Sequence, residues 1–220
     1  MTSGETISCI GMTEASGGSD LQAVKTNAKR DGDDWILNGS KTFISNGTVA
    51  NLGLIAARTD PDCKAAHGMS LFLVDTREHP GFKKGKNLRK IGQHTYDTAE
   101  LFFEDVRLPA SAMLGGPDGL NKGFHYMMQE LPRERAGSCL EAISHLEYAF
   151  EATRTYTKER MAFGSPLSDK QAIRHKMANI KTDVVTCRMM TDECIRLYGD
   201  VRPYLFDHKQ NYVKQSIPLG

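Results

Sequence analysis

Short alternations of apolar and polar residues mark the first half of the chain, and turn residues separate them. Trp35-Ile36-Leu37, Leu52 to Arg58 and Met69 to Asp75 each have the length and residue types of a strand. Asn38-Gly39 stands between two such runs, which predicts a tight hairpin turn there. Several short strands separated by turns are typical of an antiparallel barrel or sandwich, which we expect over about residues 1–108.

A helical period replaces this pattern after Pro109. Apolar residues then recur every three or four positions, which predicts one helix over about 132–162 and a second over about 168–198. Phe163-Gly164-Ser165-Pro166 joins them, so we expect a long antiparallel helical hairpin. A single hairpin cannot bury both of its apolar faces, and this predicts further helices or a second subunit as its cover.

The two patterns together predict an α+β fold in which an antiparallel β-barrel or sandwich precedes a long α-helical hairpin. We assign residues 1–115 to the β-domain and residues 116–198 to a partial helical domain. No clear period is left beyond that point, and we expect an irregular tail over 199–220.

The segment Glu130-Leu131-Pro132-Arg133-Glu134-Arg135 places a carboxylate at the predicted start of the first helix. Proline suits a first helical turn, so Glu134 is expected in that turn, near the positive end of the helix dipole. Burial in an apolar pocket would raise the pKa of this carboxyl, and a carboxylate under these opposed influences can be tuned as a general base. The alternative is an ordinary glutamate at a helix start.

Composition narrows the possible functions. The net charge of +1 gives no electrostatic reason to expect binding of nucleic acid or of an anionic membrane surface. No run of 18 uninterrupted apolar residues occurs, so we expect no transmembrane segment, and we recognise no signal or transit peptide. The five cysteines include no CxxC pair, which favours a reducing compartment over a disulfide framework. We predict no metal site.

A loop rich in glycine and serine, Glu14 to Asp20, follows the first apolar strand. Its backbone N–H groups can cradle a phosphate or the polar atoms of a ring, although the loop lacks the GxGxxG spacing of a dinucleotide-binding fold. A plain connection is the alternative. A basic run at 83–90 leaves two interpretations open, a solvated face and a contact with a phosphorylated ligand.

Five motifs in order resemble those of the acyl-CoA dehydrogenases. They are Met12-Thr13-Glu14 with Gly18-Ser19-Asp20, Phe43 to Gly47, Arg133-Glu134-Arg135, Glu159 to Gly164, and Gln171-Ala172-Ile173. The resemblance covers about residues 7–198 and is greatest for the long-chain branch. It implies an FAD-dependent enzyme that converts long-chain acyl-CoA to trans-2-enoyl-CoA in fatty-acid β-oxidation and passes electrons to electron-transfer flavoprotein. It also implies a dimer or tetramer of the complete protein, in the mitochondrial matrix.

The same resemblance implies which residues contact each ligand. The loop from Ile10 to Ser19 matches the family's first flavin loop, with Thr13 at the pyrimidine edge of the ring. Ser19 matches a position that touches both the flavin and the thioester. The implied cofactor contacts are Ile10, Met12, Thr13, Ser19, Phe43, Ile44, Ser45, Arg160 and Gln171, and the implied acyl-CoA contacts are Ser19, His67, Gly68, His125, Pro132, Arg133 and Arg135.

Glu134 matches the catalytic glutamate of the long-chain and isovaleryl branches. A base in this reaction must come within ~3 Å of the α-proton of the thioester, while other groups stabilise the charge that develops on its carbonyl. Arg135 would order the turn that carries the base, with a solvated arginine as the alternative.

Some family segments find no match in the chain. These are the N-terminal helical domain and the glycine-rich segment that completes FAD binding, so we expect a fragment. Ala15-Ser16-Gly17 also replaces the usual Pro-Gly-Ala. Two alternatives to the dehydrogenase follow: an acyl-CoA oxidase, and a truncated non-catalytic remnant of the family.

Overall fold

The computed structural model describes residues 2–77 and 79–205, which divide into two compact units between Gln129 and Glu130. We call the part up to Gln129 the β unit and the part from Glu130 the helical unit. All seven strands of the main sheet lie in the β unit.

The β unit is built on a seven-stranded sheet that curls into a half-barrel. Its neighbours follow the order β1-β4-β2-β3-β7-β6, and β5 pairs with the other side of β4. The pairings of β4 with β1 and β2 are parallel and the others are antiparallel, so the sheet is mixed where we expected an antiparallel one. The strands are β1 Ser8–Gly11, β2 Asn27–Asp31, β3 Asp34–Ser45, β4 Leu52–Arg58, β5 Met69–Asp75, β6 Phe82–Lys84 and β7 Thr98–Leu108.

The hairpin predicted at Asn38-Gly39 is wrong, because both residues lie inside the continuous strand β3. The turn falls earlier, between Asp31 and Asp34, where Gly32 has φ +63°. Asn38 is held in the strand by β7: its amide group donates to the Asp105 carboxylate (2.9 Å) and its Oδ1 accepts from the Asp105 N–H (2.9 Å). A local turn signal is therefore overridden by pairing across the sheet.

The core of the β unit follows the two-residue period of its strands. Side chains from the inward face of each strand are buried together on the inside of the curled sheet, and Met113 beyond the last strand joins them. The largest of the fully buried members are Leu37, Ile55, Phe72, Val74, Leu101, Val106 and Leu108. This core holds in place the strands and the loops that carry the candidate site residues of the β unit.

Two long helices follow, α1 Gly123–Glu159 and α2 Gln171–Leu205. Between them lies a short β-hairpin, in which β8 Met161–Ala162 pairs with β9 Ser165–Pro166. The predicted helical hairpin is confirmed, and its packing comes from Ile143 and Phe150 of α1 against Val184 of α2. An ion pair between Glu147 and Arg188 (3.1 Å) also joins the helices.

Helix α1 begins nine residues before the predicted start at Pro132, so Pro132 lies in the helix interior. Gly123 makes the early start possible: a Cβ there would come within 2.8 Å of the Ser70 carbonyl carbon, so only glycine lets the helix begin against β5. Pro132 has no N–H to donate to the carbonyl four residues earlier, and the helix continues through that gap.

Helix α2 also departs from the prediction, since it continues to Leu205. The expectation of an irregular tail is thus wrong for residues 199–205, and the rest of that predicted segment, 206–220, lies outside the described residues. The apolar stripe on α2 ends before this point, but backbone hydrogen bonds of a helix do not require apolar side chains.

Candidate functional site

A β-bulge in β3 forms the centre of the candidate site in the β unit. Lys41 pairs with Leu101 and Ile44 pairs with Ala99, so β3 has one residue more than β7 between these pairs. Phe43 sits in the bulge with φ +57°, a region that costs free energy for a residue with a side chain, and its ring is 68% exposed. An exposed aromatic side chain on strained backbone is typical of a binding site.

The bulge also decides which neighbours of Phe43 face outward. Thr42 and Ile44 are buried, whereas Ser45 at the end of β3 is exposed. The side chain of Ile44, a predicted cofactor contact, therefore packs in the core and leaves only its backbone available to a ligand. Beyond Ser45 the chain turns back, and the Gly47 N–H donates to the Ile44 carbonyl (3.1 Å).

The first predicted flavin loop lies directly beside this bulge. The Thr42 N–H donates to the Thr13 carbonyl (2.9 Å), so the two predicted flavin segments run next to each other. Ile10 is half exposed, Met12 and Thr13 are partly buried, and Ser19 is exposed. The structure thus brings the Thr13 segment and the Phe43 bulge, two of the predicted cofactor segments, next to each other.

A buried ion pair, which we did not predict from the sequence, joins these two segments. Lys41 Nζ lies 2.8 Å from Glu14 Oε1, and both side chains are almost completely buried. The sequence held a signal for it: Lys41 has the same parity in β3 as the inward residues Trp35 and Leu37. An inward lysine in a strand requires a buried partner.

For each member of the pair, burial and hydrogen bonding shift the pKa in opposite directions. Burial would raise the pKa of Glu14, but hydrogen bonds from Lys41, Thr26 and Lys25 outweigh it and hold that pKa below its usual value. Burial lowers the pKa of Lys41, and Glu14 limits this effect. The hydrogen bonds therefore favour the ionised carboxylate of Glu14, and that carboxylate in turn favours the charged form of Lys41.

A second group of predicted residues lies around the loop between β4 and β5. Gly68 is buried, and a Cβ there would come within 2.4 Å of the Asp60 carbonyl oxygen, so glycine is required at this position. Thr59 Oγ1 donates to Asn121 Oδ1 (2.6 Å) and lies 2.8 Å from Ser70 Oγ. These bonds tie the loop that carries His67 and Gly68 to the residues just before α1.

The predicted acyl-CoA contacts in this group are the exposed His67, the buried Gly68 and the exposed His125 of the first turn of α1. The His125 ring lies 6.3 Å from the ring of Tyr126, its neighbour in the chain. Sequence reasoning missed the Thr59, Ser70 and Asn121 network, because no local pattern indicates that the Thr59 hydroxyl will meet a hydroxyl 11 residues later and an amide 62 residues later.

In the helical unit, Glu134 is exposed and lies eleven residues after the start of α1. The expected place in a first helical turn is wrong because the helix begins at Gly123, so the argument from the helix dipole does not hold. Arg133 Nη1 lies 3.6 Å from Glu130 Oε2, and the side chain of Arg135 is exposed. The assignment of these residues therefore rests on the resemblance alone.

The remaining predicted cofactor contacts of the helical unit lie near the β8–β9 hairpin. Phe163 and Gly164 form its turn with φ +53° and +77°, and the Phe163 ring is 98% exposed. Arg160 precedes the hairpin, its carbonyl accepts a hydrogen bond from the Leu167 N–H (2.9 Å), and its side chain is exposed. Gln171 is the first residue of α2 and is also exposed.

The part of the chain that the structure describes contains neither a membrane-spanning helix nor a metal-binding cluster. None of its helices is long and apolar enough to cross a membrane. Its histidine, cysteine and acidic side chains form no group of three that would hold a metal ion.

Comparison with known families accounts for most of the chain. The family model for the acyl-CoA dehydrogenase middle domain matches residues 9–106, and the model for the acyl-CoA dehydrogenase C-terminal domain matches residues 121–209. The first match contains the bulge of β3 and the buried ion pair, and the second contains both long helices.

Individual relatives agree with these matches. The long-chain specific acyl-CoA dehydrogenase of Rattus norvegicus mitochondria is 52% identical over 203 residues, which are 92% of this chain and 46% of that protein. The human short-chain specific enzyme, also mitochondrial, is 35% identical over 93% of this chain and 48% of its own length. The chain spans about half the length of the curated relatives it matches.

Solved structures give the same picture. An acyl-CoA dehydrogenase from Geobacillus kaustophilus superposes with a TM-score of 0.84 at 42% identity, over 87% of this chain and 50% of that one. A glutaryl-CoA dehydrogenase from Mycobacterium smegmatis, in complex with FADH2, superposes with a TM-score of 0.80 at 35% identity, over 88% of this chain and 47% of that one.

Proposed function

The chain belongs to the acyl-CoA dehydrogenase family, and on that premise we propose that it contributes to FAD-dependent α,β-dehydrogenation of long-chain acyl-CoA in fatty-acid β-oxidation. The product is the trans-2-enoyl-CoA, and electron-transfer flavoprotein is the acceptor. The proposal includes a dimer or tetramer in the mitochondrial matrix. The 52% identity to a long-chain specific mitochondrial enzyme supports this choice of branch.

One observation carries the proposal: the strained, exposed Phe43 lies beside the loop of Thr13, within a sheet held by its own core. The residues there fit a flavin. An aromatic ring offers a stacking face, and Thr13, Ser19 and Ser45 offer hydroxyl groups for the polar edge of the isoalloxazine. Arg160 and Gln171 would hold the phosphate and nucleotide end. When bound, FAD supplies the acceptor for the hydride that leaves the β-carbon of the substrate.

In the same proposal Glu134 is the base. Its carboxylate takes the α-proton of the thioester, and Arg135 orders the helix segment that carries it. His67, Gly68, His125, Pro132 and Arg133 bind the acyl-CoA, together with Ser19.

The proposal is tested by the visible spectrum of the purified chain after incubation with FAD. We expect a bound flavin whose absorbance bleaches when palmitoyl-CoA is added without oxygen, followed by reoxidation by electron-transfer flavoprotein. A chain that retains no flavin would contradict the proposal and support the alternative of a non-catalytic remnant.

An acyl-CoA oxidase is the second candidate, because one structural relative, at 28% identity and a TM-score of 0.80, is a prolyl acyl carrier protein oxidase, which shows an oxidase on this fold. The same sample distinguishes the two. Rapid formation of hydrogen peroxide, with no transfer to electron-transfer flavoprotein, would replace the dehydrogenase with the oxidase.

A further inference from the structure

The ion pair between Lys41 and Glu14 has no part in the chemistry proposed so far. Both side chains are buried, so neither can touch a bound flavin or thioester. Replacement of a buried ion pair by apolar residues is often neutral or stabilising, so stability alone gives weak grounds for its presence. Its location, behind both predicted flavin segments, suggests another role.

The pair makes hydrogen bonds to Met12 and Ser16 of the first flavin loop and to the chain that follows the loop, at Lys25 and Thr26. Glu14 accepts from the N–H groups of Lys25 (2.7 Å) and Thr26 (3.0 Å), and Ser16 Oγ lies 3.3 Å away. Lys41 Nζ also donates to the Met12 carbonyl (3.3 Å). One carboxylate and one ammonium group thus fix the entry and the exit of the loop against β3.

These bonds set the direction of the peptide group between Met12 and Thr13. In a trans peptide the C=O and N–H groups point in opposite directions. Since the Met12 carbonyl points toward the buried Lys41 ammonium, the Thr13 N–H points away from it, out of the core. Among the described residues this N–H has no backbone acceptor.

The charge of Lys41 adds an electronic effect to this orientation. A hydrogen bond to the carbonyl of a peptide polarises the whole group and strengthens the N–H at its other end as a donor. Because the bond comes from a cation in a buried site, this effect is larger than that of a neutral donor.

We propose that the Lys41–Glu14 ion pair is a positioning device for flavin, which orients and polarises the Met12–Thr13 peptide so that the Thr13 N–H donates to the pyrimidine edge of the ring. The identity of the ligand rests on the proposed function; the control of the loop by the pair does not. An apolar pair in its place would leave the Met12 carbonyl and the N–H groups of Lys25 and Thr26 without partners.

The test compares the double variant Lys41→Met/Glu14→Gln with a matched control, Arg77→Met/Asp75→Asn. The double variant removes both charges together, which avoids an unpaired buried charge and preserves the fold. The control removes an exposed ion pair at the end of β5, in the same sheet. Three properties are measured: the dissociation constant for FAD by flavin fluorescence, the midpoint potential of the bound flavin, and amide hydrogen exchange at Thr13 to Gly17.

We expect the double variant to bind FAD at least about tenfold more weakly than the wild type, equivalent to about 1.4 kcal/mol. The midpoint potential should fall, because a weaker donor at the pyrimidine edge stabilises the reduced ring less. The amides of the loop should exchange at least about tenfold faster, and the control variant should match the wild type in all three properties.

A folded double variant with wild-type FAD affinity and midpoint potential would overturn the proposal. If the wild-type chain itself binds no FAD, the proposed function fails, and hydrogen exchange then decides the positioning role separately. Loop amides that exchange no faster in the double variant than in the control would overturn it in that case, and faster exchange confined to the double variant would support it.

Discussion

In the β unit, Leu37, Ile55 and Phe72 are completely buried, and even a lysine in the core has a buried partner. In the helical unit, the buried apolar cluster of the described residues consists of Ile143, Phe150 and Val184. Large apolar side chains lie exposed on both helices, among them Leu140, Leu146, Tyr148, Ile180, Met189, Met190 and Ile195.

This difference extends to the candidate site residues. Thr13 and Phe43 are held by a strand pairing, a bulge and a buried ion pair within their own unit. Glu134, Arg160 and Gln171 lie exposed on helices or beside a turn. The predicted site residues of the β unit are therefore held in place by contacts within that unit, whereas those of the helical unit are exposed.

The largest effect is expected from Glu134→Gln. The amide keeps the size of the side chain but cannot accept the α-proton, so flavin reduction by palmitoyl-CoA should slow by ~10²–10⁴-fold, while FAD binding stays unchanged. Single-turnover reduction measures this directly. Glu130→Gln is the control, one turn earlier on the same helix, and should have little effect. Near wild-type reduction by the Glu134 variant would show that the base is another residue.

Removal of one member of the buried pair should have the next largest effect. Lys41→Met leaves the Glu14 carboxylate buried without its cation, which should lower the free energy of unfolding by about 3–5 kcal/mol. Urea unfolding followed by circular dichroism provides the measurement. Lys83→Met, at an exposed pair, should cost less than about 1 kcal/mol. Equal losses in the two variants would contradict the claim that the β unit depends on its buried pair.

Matched leucine truncations in the two units should differ in cost. Leu37→Ala leaves a cavity at a fully buried position and should lower the free energy of unfolding by about 2–5 kcal/mol. Leu140 is 39% exposed on α1, so Leu140→Ala should lower that free energy by less than about 1 kcal/mol. The same urea unfolding experiment applies. A loss at Leu140 as large as that at Leu37 would mean that this face of the helix is covered in solution.

The smallest effect concerns pH and the exposed pair Asp75–Arg77. Hydrogen bonds from Arg77 lower the pKa of Asp75 to about 2, so the pair stabilises the fold above the pKa of the unfolded chain and loses this effect as pH falls toward about 2. Because both side chains are largely exposed, solvent screening keeps the contribution small. Asp75→Asn should reduce stability slightly at pH 7 and by less at pH 2. A loss of stability that grows as pH falls would contradict a lowered pKa for Asp75.

The elements that sequence reasoning predicted well are those whose residues carry a strong local period. Leu52–Arg58 and Met69–Asp75 match β4 and β5, and the change from strands to helices occurs where the period changes. Features that depend on distant contacts were not visible in the sequence. Asn38-Gly39 has the local chemistry of a turn, yet pairing with Asp105 keeps it in a strand.

The candidate site shows the same limit. The motif around Phe43 is visible in the sequence, but the bulge that exposes its ring is a property of two strands and requires the register of β7. Pro132 indicates a helix start by local rules, whereas the packing of Gly123 against Ser70 sets the start nine residues earlier. The place of Glu134 along the helix therefore depends on tertiary contacts, which local sequence rules do not include.

A flavin site of the β unit at Thr13, Ser19, Phe43 and Ser45 is the central claim, and the most direct test is a titration of the chain with FAD followed by flavin fluorescence and visible absorbance. We predict saturable binding, with quenched fluorescence and a shifted visible band, and a weaker affinity in Phe43→Ala because its ring is lost. A flavin spectrum that remains that of free FAD in excess protein, or an affinity unchanged by Phe43→Ala, would contradict it.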